Sequence, residues 1–268
     1  MQMSTHTPPL ISIGMPIYNA GPLLAEAIKS LLQQSYPYWE LLIIDDGSTD
    51  HAIANLRQIG ILDDPRIHLF NDGNNYGLAA RLNECIDLAQ GTFFARMDQD
   101  DVALPRRFEK QVAYLQKHPD VDLLSTRVNT IDGQGQVNGS LPYELEHTSL
   151  CNKPWRSIYM PHPTWMGKTS WFRTYRYATP APYFCEDQEL LLRTHAQSTF
   201  ACLNEVLLHY RVRDRVNIRK LWGTYFAVYQ LQCRYFLQSN PCHLLPATAV
   251  FFARNIKVLQ TWMKQSLV

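Results

Sequence analysis

Short apolar runs alternate with helix-patterned ones over the first 125 residues, and this alternation restricts the fold more than any other feature of the chain. The β-prone runs are Leu10–Met15, Glu40–Ile44, Arg66–Phe70, Thr92–Met97 and Val121–Ser125. Between the first two, Leu24, Ile28, Leu31 and Leu32 fall on one helical face, with Pro22 placed for an opening turn. A second helix follows the cap-like cluster Ser48-Thr49-Asp50. A third spans Leu78–Ala89, with Leu82, Ile86 and Ala89 on its buried side, and a fourth spans Pro105–Lys117. Strand–helix–strand repetition predicts a parallel sheet with helices on both faces. Ligands bind beyond the carboxyl ends of the strands in such sheets. Here those ends carry Pro16-Ile17-Tyr18-Asn19, Asp45-Asp46-Gly47-Ser48, Asn71-Asp72-Gly73 and Asp98-Gln99-Asp100-Asp101. Polar and acidic residues are therefore expected along one edge.

Crowding Asp98, Asp100 and Asp101 at the end of an apolar strand raises the cost of ionising all three. A divalent cation resolves that repulsion, and oxygen-only ligands suit Mg²⁺ or Mn²⁺. Alternation along an extended chain puts Asp98 and Asp100 on the same side. The competing account is a solvated acidic turn capping the helix that begins near Leu104.

Beyond Asp122 the regular alternation fades. Asp132-Gly133-Gln134-Gly135-Gln136 reads as a hairpin loop. Residues Leu150–Tyr183 are rich in Pro, Trp and Tyr, as in an irregular aromatic wall. A helix starts at Glu186-Asp187 and carries Leu190, Leu191 and Leu192; the tail from about Val216 is helical again.

At 268 residues the chain has room for one large α/β domain or two small ones. A net charge of +1, from 25 basic and 24 acidic residues, argues against a nucleic-acid partner. The six cysteines form no Cys-x-x-Cys pair, which fits reduced thiols in a cytoplasmic setting. Met1–Pro9 lacks the apolar core of a signal peptide, and no apolar run approaches the roughly 20 residues needed to cross a bilayer. The expectation is a cytoplasmic protein, either soluble or peripheral at the inner face of the membrane.

The pieces Ile11-Ser12-Ile13-Gly14-Met15-Pro16-Ile17-Tyr18-Asn19, Glu40 through Asp50, Asn75-Tyr76-Gly77-Leu78 with Asn83, Ala95 through Asp101, and Cys185-Glu186-Asp187 together resemble the family 2 glycosyltransferases. The resemblance covers about residues 9 to 212. It implies an α/β, Rossmann-like, mostly parallel sheet flanked by helices, the GT-A-type fold, with a helical C-terminal extension. The implied catalytic domain is 9–215, divided into a nucleotide-binding half (9–101) and an acceptor half (102–215), with 216–268 as the extension.

By the same resemblance, Pro16, Tyr18, Asn19, Asp46, Gly77, Asn83, Asp98 and Arg211 would bind a nucleotide-sugar, with UDP as the nucleotide that comparison with the family implies. Asp46 is expected to accept a uracil N–H, and Tyr18 to cover the base or to be an ordinary loop aromatic. Gly77 is either a pocket residue or a helix-start glycine. Asp98 and Asp100 match the Asp-x-Asp metal motif for Mn²⁺ or Mg²⁺, with Asp101 expected as a helix cap. Asp187 is the implied catalytic base, with Glu186 and His162 toward the acceptor; His162 reads equally as a structural histidine. The arginines of Tyr210-Arg211-Val212-Arg213-Asp214-Arg215 either fold over a diphosphate or form a solvated loop. The implied activity is inverting, metal-dependent transfer of a sugar, hexosyltransferase-like, to a glycan or lipid-linked acceptor in surface polysaccharide biosynthesis. Without a Gln-x-x-Arg-Trp motif, non-processive transfer is expected. A sugar-1-phosphate nucleotidyltransferase would need glycines and a basic residue in the Pro16–Gly21 turn, which are missing; a silent sugar-nucleotide-binding subunit is the other alternative.

In the tail, Leu245, Phe252, Ile256, Leu259 and Met263 share one helical face, with Arg254, Lys257 and Lys264 elsewhere. Such a stripe either lies on an anionic membrane or packs on the catalytic domain or on a second subunit of a homo-oligomer.

Overall fold

The computed structural model describes residues 7–212 and 217–266. In chain order it contains β1 (Ile11–Ile17), α1 (Leu23–Leu32), β2 (Trp39–Asp45), α2 (Ala52–Gln58), β3 (Ile67–Asn71), α3 (Leu78–Leu88), β4 (Phe93–Arg96), β5 (Val102–Ala103), α4 (Arg107–Lys117), β6 (Leu123–Ile131), β7 (Val137–Ser140), α5 (His147–Cys151), β8 (Met166–Lys168), α6 (Thr169–Thr174), α7 (Glu186–Thr194), β9 (Phe200–Arg211), α8 (Ile218–Ser239) and α9 (Leu244–Ser266).

The sheet order is β3-β2-β1-β4-β8-β6-β9-β5, with β7 hairpinned onto β6. The first four strands are the expected parallel unit. Past β4 the sheet becomes mixed: β8 runs antiparallel to both β4 and β6, while β6 and β9 are parallel.

β1 and β2 are buried on both faces, which is why they read as largely apolar runs, and the polar pair within them, Ser12 and Glu40, is satisfied by a 2.6 Å hydrogen bond between the two side chains. Period-two alternation divides their side chains between two cores. Ile11, Ile13, Met15, Leu41 and Ile43 pack with Leu24, Ile28, Leu31 and Phe108 from α1 and α4. Leu42 and Ile44 face the other way, toward Leu82, Ile86, Phe94, Trp165, Phe172 and Leu190. Gly14 sits in β1 where α3 closes most tightly; a Cβ there would come within 2.5 Å of Phe94 Cζ.

The fourth helix begins at Arg107 rather than Pro105, and no side chain caps it. The expected cap, Asp101, is separated from it by β5. Its Oδ1 instead accepts the backbone N–H of Arg211 at 2.8 Å, because β5 pairs with β9 and brings the end of β9 alongside.

α8 and α9 fold back on each other through Tyr229, which stacks on Phe251 and shares a hydrogen bond with Thr248. Cys185 packs with Ala227 and Val228, and Leu192 with Phe236 and Ala247, fixing the pair against α7. The buried face of α9 carries Ala247 and Val258. The apolar stripe read from the sequence points elsewhere: Leu245 is 81%, Phe252 61%, Ile256 59% and Leu259 57% exposed. Packing on the rest of the chain therefore does not account for it. Among the described residues, no helix is long and apolar enough to cross a membrane.

Candidate active site

Three turns at the carboxyl ends of the parallel strands are tied to one another before any ligand is considered. The Tyr18 N–H donates to Gln99 Oε1 (2.8 Å) and its carbonyl accepts from Gln99 Nε2 (3.2 Å), joining the end of β1 to the acidic turn after β4. Asn19, with φ of 48°, accepts the Thr49 N–H and donates its own N–H to Ser48 Oγ. Asp45 accepts from the Ser48 N–H and from Asn71 Nδ2.

Asp46 is the most heavily engaged residue of this floor. Its Oδ1 accepts the Tyr76 N–H (2.7 Å) and Arg81 Nε (3.0 Å), and its Oδ2 accepts the Gly77 N–H (3.0 Å). Arg81 also donates to Asp72, Glu84 and the Asn74 carbonyl, and it drives the Asp72 carboxyl down to about 2. Gly77, at φ 86°, opens α3 in a backbone conformation that side chains disfavour. The Asn74–Gly77 loop is thereby clamped over the end of β2.

The turn after β4 concentrates negative charge beside the buried Arg96. Arg96 Nη1 donates to Asp98 Oδ2 at 2.6 Å, forming an ion pair in which the arginine side chain is 4% and the aspartate 28% exposed. Asp100 has no such partner among the described residues, and burial together with the Asp98 charge raises its carboxyl. Burial, then Asp98, pushes Asp101 up to about 8. Arg96 Nε and Asp101 Oδ2 are buried and find no hydrogen-bond partner among the described residues.

Across from this turn, α7 presents Glu186 and Asp187 in its first turn. Its helix dipole favours their ionised forms, but loss of hydration outweighs it. Both carboxyls are raised by burial, Glu186 further by the Asp187 charge. Asp187 accepts a long bond from Gln188 Nε2, 3.4 Å, and backbone N–H groups of its own helix turn oppose the shift without overcoming burial. Behind them, His162 shares a 2.7 Å hydrogen bond with the Tyr177 hydroxyl and packs edge-on against Trp165. Burial holds His162 well below its ordinary range, with Arg96 adding to the shift, so it is neutral.

A cavity of about 1350 Å³ joins these pieces. Pro16, Tyr18, Asp46, Gly77, Asp98, Asp100, His162, Glu186 and Asp187 all line it, bringing together most of the expected site residues from both halves of the sheet. Three others lie off it. Asn83 is occupied on both sides by the Tyr177 backbone, 94 residues away, through Nδ2 to the carbonyl (2.9 Å) and Oδ1 from the N–H (3.0 Å). Asn19 is taken up between the β1 and β2 turns. Arg211, expected over a diphosphate, donates instead to the Asp100, Asp132 and Gly133 carbonyls and to the Glu26 carboxylate at 2.8 Å, so its fork is already filled. Arg213 and Arg215 lie outside the described residues.

Sequence reasoning did not single out Arg96, whose signal was a lone cation in the apolar run Phe93-Phe94-Ala95-Arg96 immediately before the acidic turn. It also placed nothing from the C-terminal helices at the site. Lys220 and Tyr225 of α8 and Arg254 and Lys257 of α9 complete the cavity wall. Arg254 is held there by the Ser157 hydroxyl at 2.9 Å.

Asp98 and Asp100 suit a divalent cation in chemistry. Asp100 is a desolvated carboxylate with no ion-pair partner among the described residues, and Asp98, though gripped by Arg96 through both of its oxygens, keeps 28% of its side chain exposed. Among the described residues, no three His, Cys, Asp or Glu side chains form a ready-made cage. That is the donor set of an ion held by one or two carboxylates plus water and phosphate oxygens.

Residues 12–176, more than half of the chain, match the model of the family described as Glycosyl transferase family 2. Over 127 residues (47% of the chain) the sequence is 43% identical to EpsE of Bacillus subtilis (strain 168), provisionally named a glycosyltransferase; the match takes in 46% of EpsE. The chain thus corresponds to about half the length of that relative. The fold matches S. aureus TarS in complex with UDP-GlcNAc at a TM-score of 0.70 and 19% identity, over 92% of this chain and 73% of that one. It also matches the mannosyltransferase PcManGT from Pyrobaculum calidifontis, in complex with GDP-Man and Mn²⁺, at a TM-score of 0.65 and 18% identity, over 98% and 81%. At these identities the two structures speak to the fold alone.

Proposed function

Because the chain belongs to glycosyl transferase family 2 and has the A-type glycosyltransferase fold, we propose that it transfers one sugar, with inversion, from a UDP-sugar to a hydroxyl of a glycan or lipid-linked acceptor in surface polysaccharide synthesis. The observation that carries this reading is the shared cavity: Asp98, Asp100, Glu186 and Asp187, from the turn after β4 and the first turn of α7, all line one space of about 1350 Å³. Bound UDP and UDP-GlcNAc in TarS support the choice of donor, and PcManGT with Mn²⁺ supports the choice of metal.

Each residue then has a task set by its surroundings. Tyr18, half exposed at the rim, offers a ring face to the base. Asp46 has spent three of its roughly four acceptor positions on the protein, and the remaining one on Oδ2 accepts a ring N–H. Asp98 and Asp100 hold the cation, which when bound offsets the charge of the diphosphate. Asp187 takes the proton of the attacking hydroxyl as its oxygen bonds to the anomeric carbon and the bond to the phosphate oxygen breaks. A carboxylate with a raised affinity for protons is the stronger base for that transfer. Glu186 and neutral His162 border the acceptor side.

Thermal shift with UDP, with and without Mn²⁺, tests the donor half. A ligand at about a hundredfold its Kd stabilises the native state by about 2.7 kcal/mol. The expected result is a Mn²⁺-dependent rise in melting point that Asp100→Ala abolishes. An equal rise in Asp100→Ala removes the cation from this turn.

A further inference from the structure

The C-terminal helices carry a charge and a surface that the sugar-transfer reading does not use. From residue 217 to 266 the sequence holds six basic residues, Arg219, Lys220, Arg234, Arg254, Lys257 and Lys264, and no Asp or Glu. All 24 acidic residues of the chain lie before that segment, against the other 19 basic ones. A protein of net charge +1 is thus split into an acidic body and a cationic helical hairpin.

The same hairpin bears a connected apolar surface. Trp222 stacks on Phe226 (centroids 6.2 Å apart), Phe226 meets Phe251 (6.2 Å), and Phe251 meets Phe252 (5.6 Å), so the rings run across from α8 to α9. From Phe252 the surface continues along α9 through Ile256, Leu259 and Met263, at helical spacings of four, three and four. Trp222 is 55%, Phe252 61%, Ile256 59% and Leu259 57% exposed. Such an unbroken apolar face is uncommon on a soluble monomer and marks a contact surface.

We propose that this face of α8 and α9 docks on an anionic lipid surface, with the apolar side chains entering the headgroup boundary and the surrounding Arg and Lys meeting lipid phosphates. Charge complementarity selects this occupant. Pairing the face with itself in a second copy would bring two purely cationic segments together, whereas an anionic bilayer offers both apolar depth and opposite charge. The geometry also places the site near the lipid: Lys220, Arg254 and Lys257 line the cavity from the two helices that carry the apolar face. The inference does not depend on sugar transfer, and the test below contains neither donor nor acceptor.

Co-sedimentation of the full chain with vesicles decides it. Partition onto phosphatidylglycerol–phosphatidylcholine vesicles should exceed that onto phosphatidylcholine vesicles by about tenfold or more at low salt, and high salt should remove the difference. Phe252→Ser with Ile256→Ser should lower binding about tenfold, since both side chains are exposed and the circular dichroism should be unchanged. Arg219→Glu with Arg234→Glu leaves the apolar face intact and should selectively reduce binding to the anionic vesicles. Equal, weak retention of the unmodified chain on both vesicle types overturns the proposal. So does a dimer in light scattering that Phe252→Ser with Ile256→Ser dissociates while neither protein sediments with vesicles; that result gives the face to a second copy.

Discussion

Asp187→Asn is expected to stabilise the protein while disabling it, a combination that a merely structural carboxylate does not produce. The substitution keeps the size of the side chain and an oxygen for Gln188, whose bond to Asp187 is only 3.4 Å long. What it removes is a negative charge that burial disfavours and that no cation contacts directly. Relief of that charge should raise stability by about 1 kcal/mol near neutral pH. The sign follows from linkage. A carboxyl raised in the folded state makes the native form the better proton binder, so stability falls as pH rises from the unfolded value near 3.8 through the folded one. Asparagine abolishes that loss, so the gain should vanish in acid and be full above the folded value. Turnover should move the other way. Loss of a general base costs about 10²–10⁴ in rate, or about 2.7–5.4 kcal/mol of barrier, with UDP affinity retained because Asp187 faces the nucleotide turn from the opposite wall. In the unmodified protein, kcat should rise with pH through the raised Asp187 value. UDP release with a donor chosen from a nucleotide-sugar panel, urea melts at acid and neutral pH, and UDP calorimetry together check this. Unchanged turnover, or lower stability with lost UDP binding, refutes the assignment.

Two further predictions concern the residues around the base. Arg81→Met should cost about 3–5 kcal/mol in urea unfolding, because it removes the cation paired with the buried Asp46 carboxylate, and should loosen the Asn74–Gly77 loop in hydrogen exchange; Asp72→Asn, which disturbs the 46%-exposed partner of the same arginine, should leave the urea midpoint nearly unchanged. Asp101, raised to about 8, makes the native state hold its proton across the range in which the unfolded chain loses it, so stability should decline from about pH 4 to about pH 8; Asp101→Asn, read by urea midpoints across that range, should flatten the decline by about 1–3 kcal/mol.

How much of this was readable in the letters depended on the range of the contacts. β1 and β2 were legible because strands buried on both faces must be continuously apolar, and the acidic residues closing them could only sit at the sheet's carboxyl edge. β8 was not: three residues, Met166-Gly167-Lys168, carry no period, and they form a strand only because β4 and β6 flank them. The differences from expectation at the site have the same origin. Arg211 has a partner in Glu26, 185 residues earlier, and Asn83 in Tyr177, 94 residues later; a local motif cannot register that these polar groups are already spent. Asp101 read as a cap because the nearest helix in sequence was α4, whereas the nearest donor in space came from β9. The stripe on α9 was visible, but its exposure was not, since a period of 3.6 does not say which face turns inward.

A difference in satisfaction separates the arginines that build this fold from the one that belongs to its chemistry. Arg81 and Arg211 are each surrounded by protein acceptors, and each holds together segments far apart in sequence. A guanidinium in that condition has little left to offer a phosphate, whatever motif it occupies. Arg96 is as deeply buried, yet its Nε has no partner, and it lies on the cavity wall. Around it the carboxylates are in excess: Asp98 is paired with it, while Asp100, Asp101, Glu186 and Asp187 are all raised by desolvation. A fold optimised for stability alone would not gather so many desolvated acids, since each unpaired one costs free energy. The imbalance has a direction, however. It favours arrival of positive charge at the Asp98–Asp100 turn and of a proton at Asp187, the two transfers that departure of a diphosphate and attack by a hydroxyl require.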